Sequence, residues 1–222
     1  MSHYVEPDQY EPGIESEDQA DQHQLDFTLM GVDLTIGLAL SPRWELSLTQ
    51  PMRWAFVEAD FLNKAGMPIM DFASIHHRSE TISGMGDLTV GGRYRLMGAT
   101  GNATLRLDVL AGLSFPTGGI QPNPFELGRQ KREHQHIFFG TGTFNPRIGL
   151  EIEKRFSGFF MMVDGRWHGA VYQNREQYQG PQNLTVGAEL RSALGTAQWQ
   201  FTGRLELMKE WPAQWTTELA EN

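Results

Sequence analysis

Residues 84–115 read GMGDLTVGGRYRLMGATGNATLRLDVLAGLSF, and this stretch decides the fold of the chain. Apolar and polar side chains alternate through residues 88–96 and again through residues 103–115. A period of two places successive side chains on opposite faces of a β-strand. Ala-Thr-Gly-Asn between the two runs supplies the turn chemistry of a hairpin. We therefore predict an antiparallel hairpin with one apolar face and one face that carries charges of both signs along its length.

The same alternation recurs through residues 25–211, where it predicts eight strands of about 10 to 17 residues and no helix. Strands of soluble proteins usually span about 5–6 residues. Long strands with one charged face are typical of a transmembrane barrel with a polar interior. The competing interpretation is a lipocalin-like barrel, in which the apolar face is interior and the charges point outward.

Three features favour lipid on the outside. They are the strand length, the alternation of short turns with long loops, and the aromatic residues near the strand ends. These aromatic residues are Trp44, Trp54, Tyr94, Trp167, Tyr172, Trp199 and Trp211. We predict an all-β fold, an antiparallel up-and-down transmembrane β-barrel with about eight strands in this chain, placed in the bacterial outer membrane and in contact with its lipid bilayer.

Charge and composition divide the 222 residues into three parts. Residues 1–24 hold seven of the 27 acidic residues and no Lys or Arg, which predicts a flexible acidic tail. Residues 25–211 form the predicted barrel, and residues 212–222 a C-terminal tail. The chain has no cysteine, no run of 18 apolar residues and no signal-peptide pattern at its start. Outside the acidic tail the charge is nearly balanced, so a nucleic-acid partner is not expected.

Short glycine-containing motifs then indicate a family. They are Gly86-Asp87-Leu88 at a strand start, Pro116-Thr117-Gly118 after the next strand, and Gly140-Thr141-Gly142 before the following one. Residues 82–210 with these motifs resemble the outer-membrane β-barrel family associated with the meta-cleavage pathway of phenol degradation. The resemblance implies an outer-membrane channel or transporter for small molecules, and it implies no catalytic residues.

The order of the loops predicts which membrane side each end of the chain occupies. Short turns of outer-membrane barrels face the periplasm. The first connection (residues 41–43) and the last (residues 195–196) are both short, so both termini are expected on the outer side. A complete barrel has both termini in the periplasm. We therefore expect one strand to be missing at each end, with 10 to 12 strands in a complete barrel. The chain would then be a fragment, or it would be completed by further copies or other envelope proteins.

The charged face is the first candidate site, because ionised groups require a watery or mutually paired interior. The predicted pore-lining residues are Arg93, Arg95, Arg106, Asp108, Glu151, Asp164, Arg166, Glu189, Arg191, Arg204 and Glu206. They are expected either to brace a narrow barrel as paired charges or to line a selective pore. With eight strands side chains fill most of the interior, whereas ten or twelve leave a channel.

Histidines in two long loops form the second candidate site. His76 and His77 lie in one loop, and His134 and His136 lie in the other. Neutral imidazoles bind Zn²⁺ or Cu²⁺, and His-x-His is a common ligand spacing on extended backbone. Contact with solvent or a partner is the simpler interpretation, because Arg78, Lys131 and Arg132 would repel a cation. The sequence predicts no cofactor.

An enzyme is not expected, because no serine or histidine lies in a recognisable catalytic motif. We predict an outer-membrane channel or transporter-like barrel for small molecules. The alternative is a non-transporting barrel that anchors or scaffolds an envelope complex through its loops and acidic tail.

Overall fold

The structure is a computed structural model, and it describes residues 2–4, 22–69, 78–99, 103–134, 136–192 and 200–216. These residues are almost entirely β-structure. The strands are β1 (Ser2–Tyr4), β2 (Gln22–Ala39), β3 (Trp44–Leu62), β4 (Glu80–Met85), β5 (Leu88–Met97), β6 (Leu105–Phe115), β7 (Asn145–Arg155), β8 (Phe159–Gly169), β9 (Tyr178–Gln179), β10 (Gln182–Ser192), β11 (Thr202–Trp211) and β12 (Gln214–Trp215). One helix, α1 (Pro124–Arg129), lies between β6 and β7.

The chain forms two compact units. The smaller unit comprises residues 1–32, 51–86 and 119–140, and the larger unit comprises residues 33–50, 87–118 and 141–222. The predicted acidic tail lies mostly outside the described residues, although its first strand, β1, pairs with β2. The predicted boundaries at residues 24 and 212 stay predictions.

The larger unit is built on an antiparallel sheet of eight strands. Its order is β2-β3-β5-β6-β7-β8-β10-β11, so each strand pairs with the strands that precede and follow it along this path. The all-β, antiparallel, up-and-down prediction with eight strands is confirmed. The order is linear: β11 is one edge among the described residues, and at the other end β2 is paired on its outer side by the three residues of β1. Closure into a barrel stays a prediction. The short strands β9 and β12 pair separately in this unit.

The two faces of this sheet differ as the period of two predicts. One face carries rows of apolar residues at matching register, such as Val109, Leu150, Val186 and Leu207. The opposite face carries the charged residues. The apolar row continues to Trp44 through Tyr94, whose ring centroid lies 4.6 Å from that of Trp44.

Burial on the two faces is the reverse of that in a water-soluble domain. The apolar face is open: Ile148 is 60% exposed and Leu205 is 68% exposed. On the charged face the central acids are covered: Asp164 is 2% exposed and Asp108 is 4% exposed. The buried apolar side chains that the structure describes in the larger unit are confined to Ala170, Tyr178 and Trp215. Among the residues that the structure describes, neither face of the sheet therefore forms a buried hydrophobic core.

The smaller unit contains β4, which pairs antiparallel with residues 52–57 of β3, and the helix α1. The absence of helix predicted from the sequence is wrong for these six residues. Asn123 caps α1, because its side-chain oxygen accepts hydrogen bonds from the backbone N–H groups of Phe125 and Glu126, at 3.0 and 3.4 Å. Pro124 occupies the first turn, where a missing N–H costs nothing. In the described part of the chain, no helix has the length and apolarity to cross a bilayer.

Candidate functional site

The charged face of the larger unit joins all eleven predicted pore-lining residues in one set of ion pairs. Glu153 completes the set, which we call the ion-pair network. Its members are Arg93, Arg95, Arg106, Asp108, Glu151, Glu153, Asp164, Arg166, Glu189, Arg191, Arg204 and Glu206. Six arginines meet six carboxylates, so the network carries no formal net charge. Whether it lines a pore stays a prediction.

Three adjacent acids form the middle of the network. Asp108, Glu151 and Asp164 are register partners on β6, β7 and β8. Three like charges in a row require cations from the neighbouring rows. Arg95 binds both oxygens of Asp108 at 2.9 and 3.1 Å, and Arg166 lies 3.4 Å from Glu151 and 3.2 Å from Asp164. The acids are therefore held together by arginines on either side.

Several ion pairs pass over an intervening strand. Arg204 on β11 reaches Asp164 on β8 at 2.9 and 3.2 Å, and β10 lies between them. Gly187 is the β10 residue in register with Asp164. A Cβ at Gly187 would overlap the Arg204 guanidinium and come 2.6 Å from Asp164 Oδ2. The missing side chain at Gly187 is thus what lets Arg204 cover Asp164.

Two more ion pairs cross an intervening strand. Arg93 on β5 lies 3.4 Å from Glu151 on β7, across β6. Arg191 on β10 donates a hydrogen bond to Glu153 on β7, across β8. Glu153 also accepts a hydrogen bond of 3.0 Å from Arg106 on β6. The network therefore ties β5 to β11 independently of the backbone ladder.

The network leaves two cavities in the larger unit. A cavity of about 280 Å³ is lined almost wholly by network residues. A second cavity of about 400 Å³, which we call the glycine cavity, lies beside it and reaches from Ser47 and Gly91 to Arg147 and His168. Cavities of this size accept small molecules. The charged face thus combines paired charges with space for water or a small solute.

A second polar cluster holds the loop end of the sheet in the larger unit. The Asp87 carboxylate accepts hydrogen bonds from the backbone N–H of Gly118 (3.0 Å) and from the N–H and hydroxyl of Thr141 (2.9 and 2.6 Å). Thr117 adds a hydroxyl that accepts from the N–H of Leu88 at 2.9 Å. The three glycine-containing motifs of the sequence therefore meet at one carboxylate. Sequence reasoning missed this cluster, although the recurrence of polar residues beside glycine marked its members.

Buried side chains extend the cluster around Thr141. Thr143, which is fully buried, donates a hydrogen bond of 2.7 Å to the side-chain oxygen of Asn145. Asn174 donates to the Thr141 carbonyl at 2.9 Å, and its side-chain oxygen accepts from the N–H of Tyr178 at 3.1 Å. These internal hydrogen bonds fix the loops at this end of the sheet.

Tyr178 on β9 packs against Trp215 on β12, with ring centroids 4.8 Å apart. Burial of the phenol, with a smaller effect of the Asp87 carboxylate, raises the pKa of Tyr178 to about 12. This ring contact and the pairing of β12 with β9 hold residues 214–215 against the segment between β8 and β10.

The histidine site predicted from the sequence is only partly covered by the structure. His134 is buried, its Nδ1 lies 2.9 Å from the Arg132 carbonyl oxygen, and its ring lies 5.1 Å from that of His136. His76 and His77 lie outside the described residues. Within the described residues no three His, Cys, Asp or Glu side chains are grouped as metal ligands. The four-histidine metal site stays a prediction.

A scan of known protein-family models finds none that matches the chain, and a search of curated proteins finds no significant match. The family resemblance of the glycine-containing motifs therefore stays a prediction.

Proposed function

We propose that this chain is a β-barrel protein of the bacterial outer membrane that passes small molecules across that membrane. The observation that carries the proposal is the reversal of burial on the sheet of the larger unit. Apolar residues such as Leu205 are open to the surroundings, whereas ionised residues such as Asp164 are covered. An apolar face of this extent is unfavourable in water and favourable in hydrocarbon.

The strand lengths support the same environment. β7, β8 and β10 each contain 11 residues. At about 3.3 Å per residue and a tilt near 45°, such a strand covers about 25 Å of membrane thickness. This equals the height of the apolar band on outer-membrane barrels.

The passage of small molecules is supported by the charged face. The six arginines of the ion-pair network are already paired with its six carboxylates, so ions and polar solutes meet a network of both signs and no formal net charge. The glycine cavity and the smaller network cavity offer space along that face. The resemblance of the glycine-containing motifs to a transporter family agrees with the proposed passage of small molecules.

The alternative function, a non-transporting barrel that anchors or scaffolds an envelope complex, is favoured by one observation. Every predicted pore-lining residue takes part in an ion pair, which is the arrangement expected of a rigid brace across a narrow interior. In that case the loops and the acidic tail would bind the partners.

The edges of the sheet support the proposal that partners complete the barrel. The backbone of β11 pairs with β10 on one side, and no described strand pairs with its other side. Unpaired strand edges are not tolerated in hydrocarbon, because each exposed N–H and C=O lacks a hydrogen bond. We propose that further copies of the chain, or other envelope proteins, supply the missing strands.

Reconstitution tests these functions together. The refolded protein is placed in liposomes, and permeation of a neutral sugar is measured by swelling, with conductance measured in planar bilayers. We expect stable insertion and solute passage above that of protein-free liposomes. Insertion without passage, together with stable co-purifying envelope proteins, would favour the scaffold. A protein that stays soluble and monomeric without detergent would refute both.

A further inference from the structure

The glycine cavity has an unusual row of residues across the sheet of the larger unit. Gly91 on β5, Gly112 on β6, Arg147 on β7 and His168 on β8 are consecutive register partners on the charged face. The two glycines leave the space beside Arg147 without side chains. The cavity of about 400 Å³ occupies this space.

Arg147 differs from the six arginines of the ion-pair network. It is half-buried and lines the cavity. In the described part of the chain it makes no ion pair or hydrogen bond, and the carboxylate whose charge acts on it, Asp33, lies beyond ion-pair distance. Its register partners are Gly112 and His168, neither of which is acidic. A half-buried guanidinium without a partner is costly, because desolvation is not offset by an ion pair.

The remaining wall of the cavity supplies further donors. Thr49 and Thr89 contribute hydroxyl groups, and Arg93, which also lines the cavity, has a buried Nε with no hydrogen-bond partner among the described residues. Two carboxylates are present as well. Glu206 is bound by Arg204 at 2.8 Å, and Glu45 is the register partner of Arg93. Among the described residues of this set, Arg147 is the arginine that makes no ion pair.

We infer that the glycine cavity is a binding site for a small molecule that bears one carboxylate, held by the Arg147 guanidinium. As a binding site the inference stands on the cavity alone, whereas its role as a substrate site during passage rests on the proposed function. The planar fork of arginine donates two parallel hydrogen bonds to a carboxylate. The apolar part of the ligand lies over Gly112, beside Gly91 and the Ser47 hydroxyl that lines the same cavity.

The charge of the site favours a monocarboxylate over phosphate. One unpaired guanidinium balances one negative charge. Phosphate at neutral pH carries a charge between about −1 and −2, so binding it in the same place would leave negative charge uncompensated beside Glu45 and Glu206. Inorganic phosphate therefore serves as the competing probe.

The test uses the full chain refolded in detergent and butyrate as the probe. Saturation-transfer NMR of butyrate is recorded with the wild type, with Arg147→Gln and with Arg155→Gln. Arg155 is the matched control, because it lies at the opposite end of the same strand and loses the same charge. We expect butyrate to bind the wild type and the R155Q variant, with affinity reduced at least about tenfold in R147Q. Butylammonium, of similar size and opposite charge, is expected not to bind.

Folding of the variants provides a second measurement. Because Arg147 has no partner to lose, R147Q is expected to unfold at the same or a higher urea concentration than the wild type. Equal butyrate binding by R147Q and the wild type, no binding by the wild type, or displacement of butyrate by equimolar phosphate would overturn the inference. If butyrate fails to bind while the sugar still permeates, the inference alone falls. If butyrate binds and nothing permeates, the proposed transport falls and the site stands.

Discussion

Thr141 donates two hydrogen bonds to one oxygen of the Asp87 carboxylate, from its backbone N–H at 2.9 Å and its hydroxyl at 2.6 Å. The other oxygen accepts from the N–H of Gly118. Residues 54 positions apart in sequence are thereby fixed to each other, and with them the start of β5, the end of β6 and the start of β7. Asp87 is therefore a structural carboxylate whose partners are all donors.

Replacing Asp87 with Asn tests this role. An amide has one acceptor oxygen and one NH₂ donor, so at least one N–H donor of Gly118 or Thr141 would face another donor. We expect Asp87→Asn to lower the free energy of unfolding by about 1–3 kcal/mol, measured by urea titration in lipid vesicles. Asp60→Asn is the control, because Asp60 is an exposed residue of β3, and it is expected to change the free energy of unfolding little. Equal effects of the two substitutions would contradict the assigned role.

Gly187 provides a test of the strand-spanning pair between Arg204 and Asp164. A methyl group at Gly187 overlaps the guanidinium and crowds the carboxylate, so Gly187→Ala is expected to separate the pair and destabilise the fold by about 2–3 kcal/mol. The loss stays below that of a fully broken buried pair, because Arg166 still contacts Asp164.

Gly203→Ala is the matched control for Gly187→Ala. Gly203 lies on the adjacent strand β11, and nothing stands within 4 Å of a Cβ built there. Alanine suits a strand at least as well as glycine, so this variant is expected to be neutral or slightly stabilising. If G187A unfolds at the same urea concentration as G203A, the space above Gly187 is not required by Arg204.

The apolar face offers a test of its surroundings. Ile148 is 60% exposed, and in water Ile148→Arg would be nearly neutral. In a bilayer the same change places a charge in hydrocarbon and is expected to cost about 2–4 kcal/mol. Folding into lipid vesicles of Ile148→Arg is compared with that of Ser157→Arg, in the turn after β7. A neutral outcome at Ile148 would place this face in water.

Alkaline titration tests the environment of Tyr178. The phenol has an ordinary pKa of 10.0, which burial raises to about 12 in the folded state. The folded protein therefore keeps a proton that the unfolded chain loses, so the stabilisation is complete below pH 10 and is lost as the pH rises towards 12. The difference in phenolate absorbance between wild type and Tyr178→Phe is expected to rise near pH 12. A rise near pH 10 would mean that the phenol is open to solvent.

Much of the fold could be predicted from the sequence because a period of two is a local property. Alternation through residues 88–96 and 103–115 fixes which residues share a face without any knowledge of the partner strand. The placement of Arg93, Asp108 and Arg204 on one face follows from it. The helix α1 was not predicted, because its six residues are too few to show a helical period of apolar side chains. Its remaining signal in the sequence is the Asn-Pro pair at its start.

The pairing within the charged face could not be predicted in the same way. Partner choice depends on register and on reach across a strand, and both are set by the whole sheet. Arg204 passes its own neighbouring strand and binds Asp164 only because a glycine lies between them. Likewise, nothing in the sequence separates Arg147, which makes no ion pair among the described residues, from the arginines of the network.

The strand-spanning ion pairs also constrain the order in which the chain can assemble. Asp164 lies on β8, whereas Arg204 lies on β11, the last strand of this sheet among the described residues. No single hairpin therefore contains both residues. Glu151 and Glu153 similarly depend on β5 and β10. A hairpin that entered hydrocarbon alone would carry uncompensated carboxylates with it. For the proposed outer-membrane location, we therefore expect the strands to stay in water until the last of them has formed, and the whole sheet to insert together.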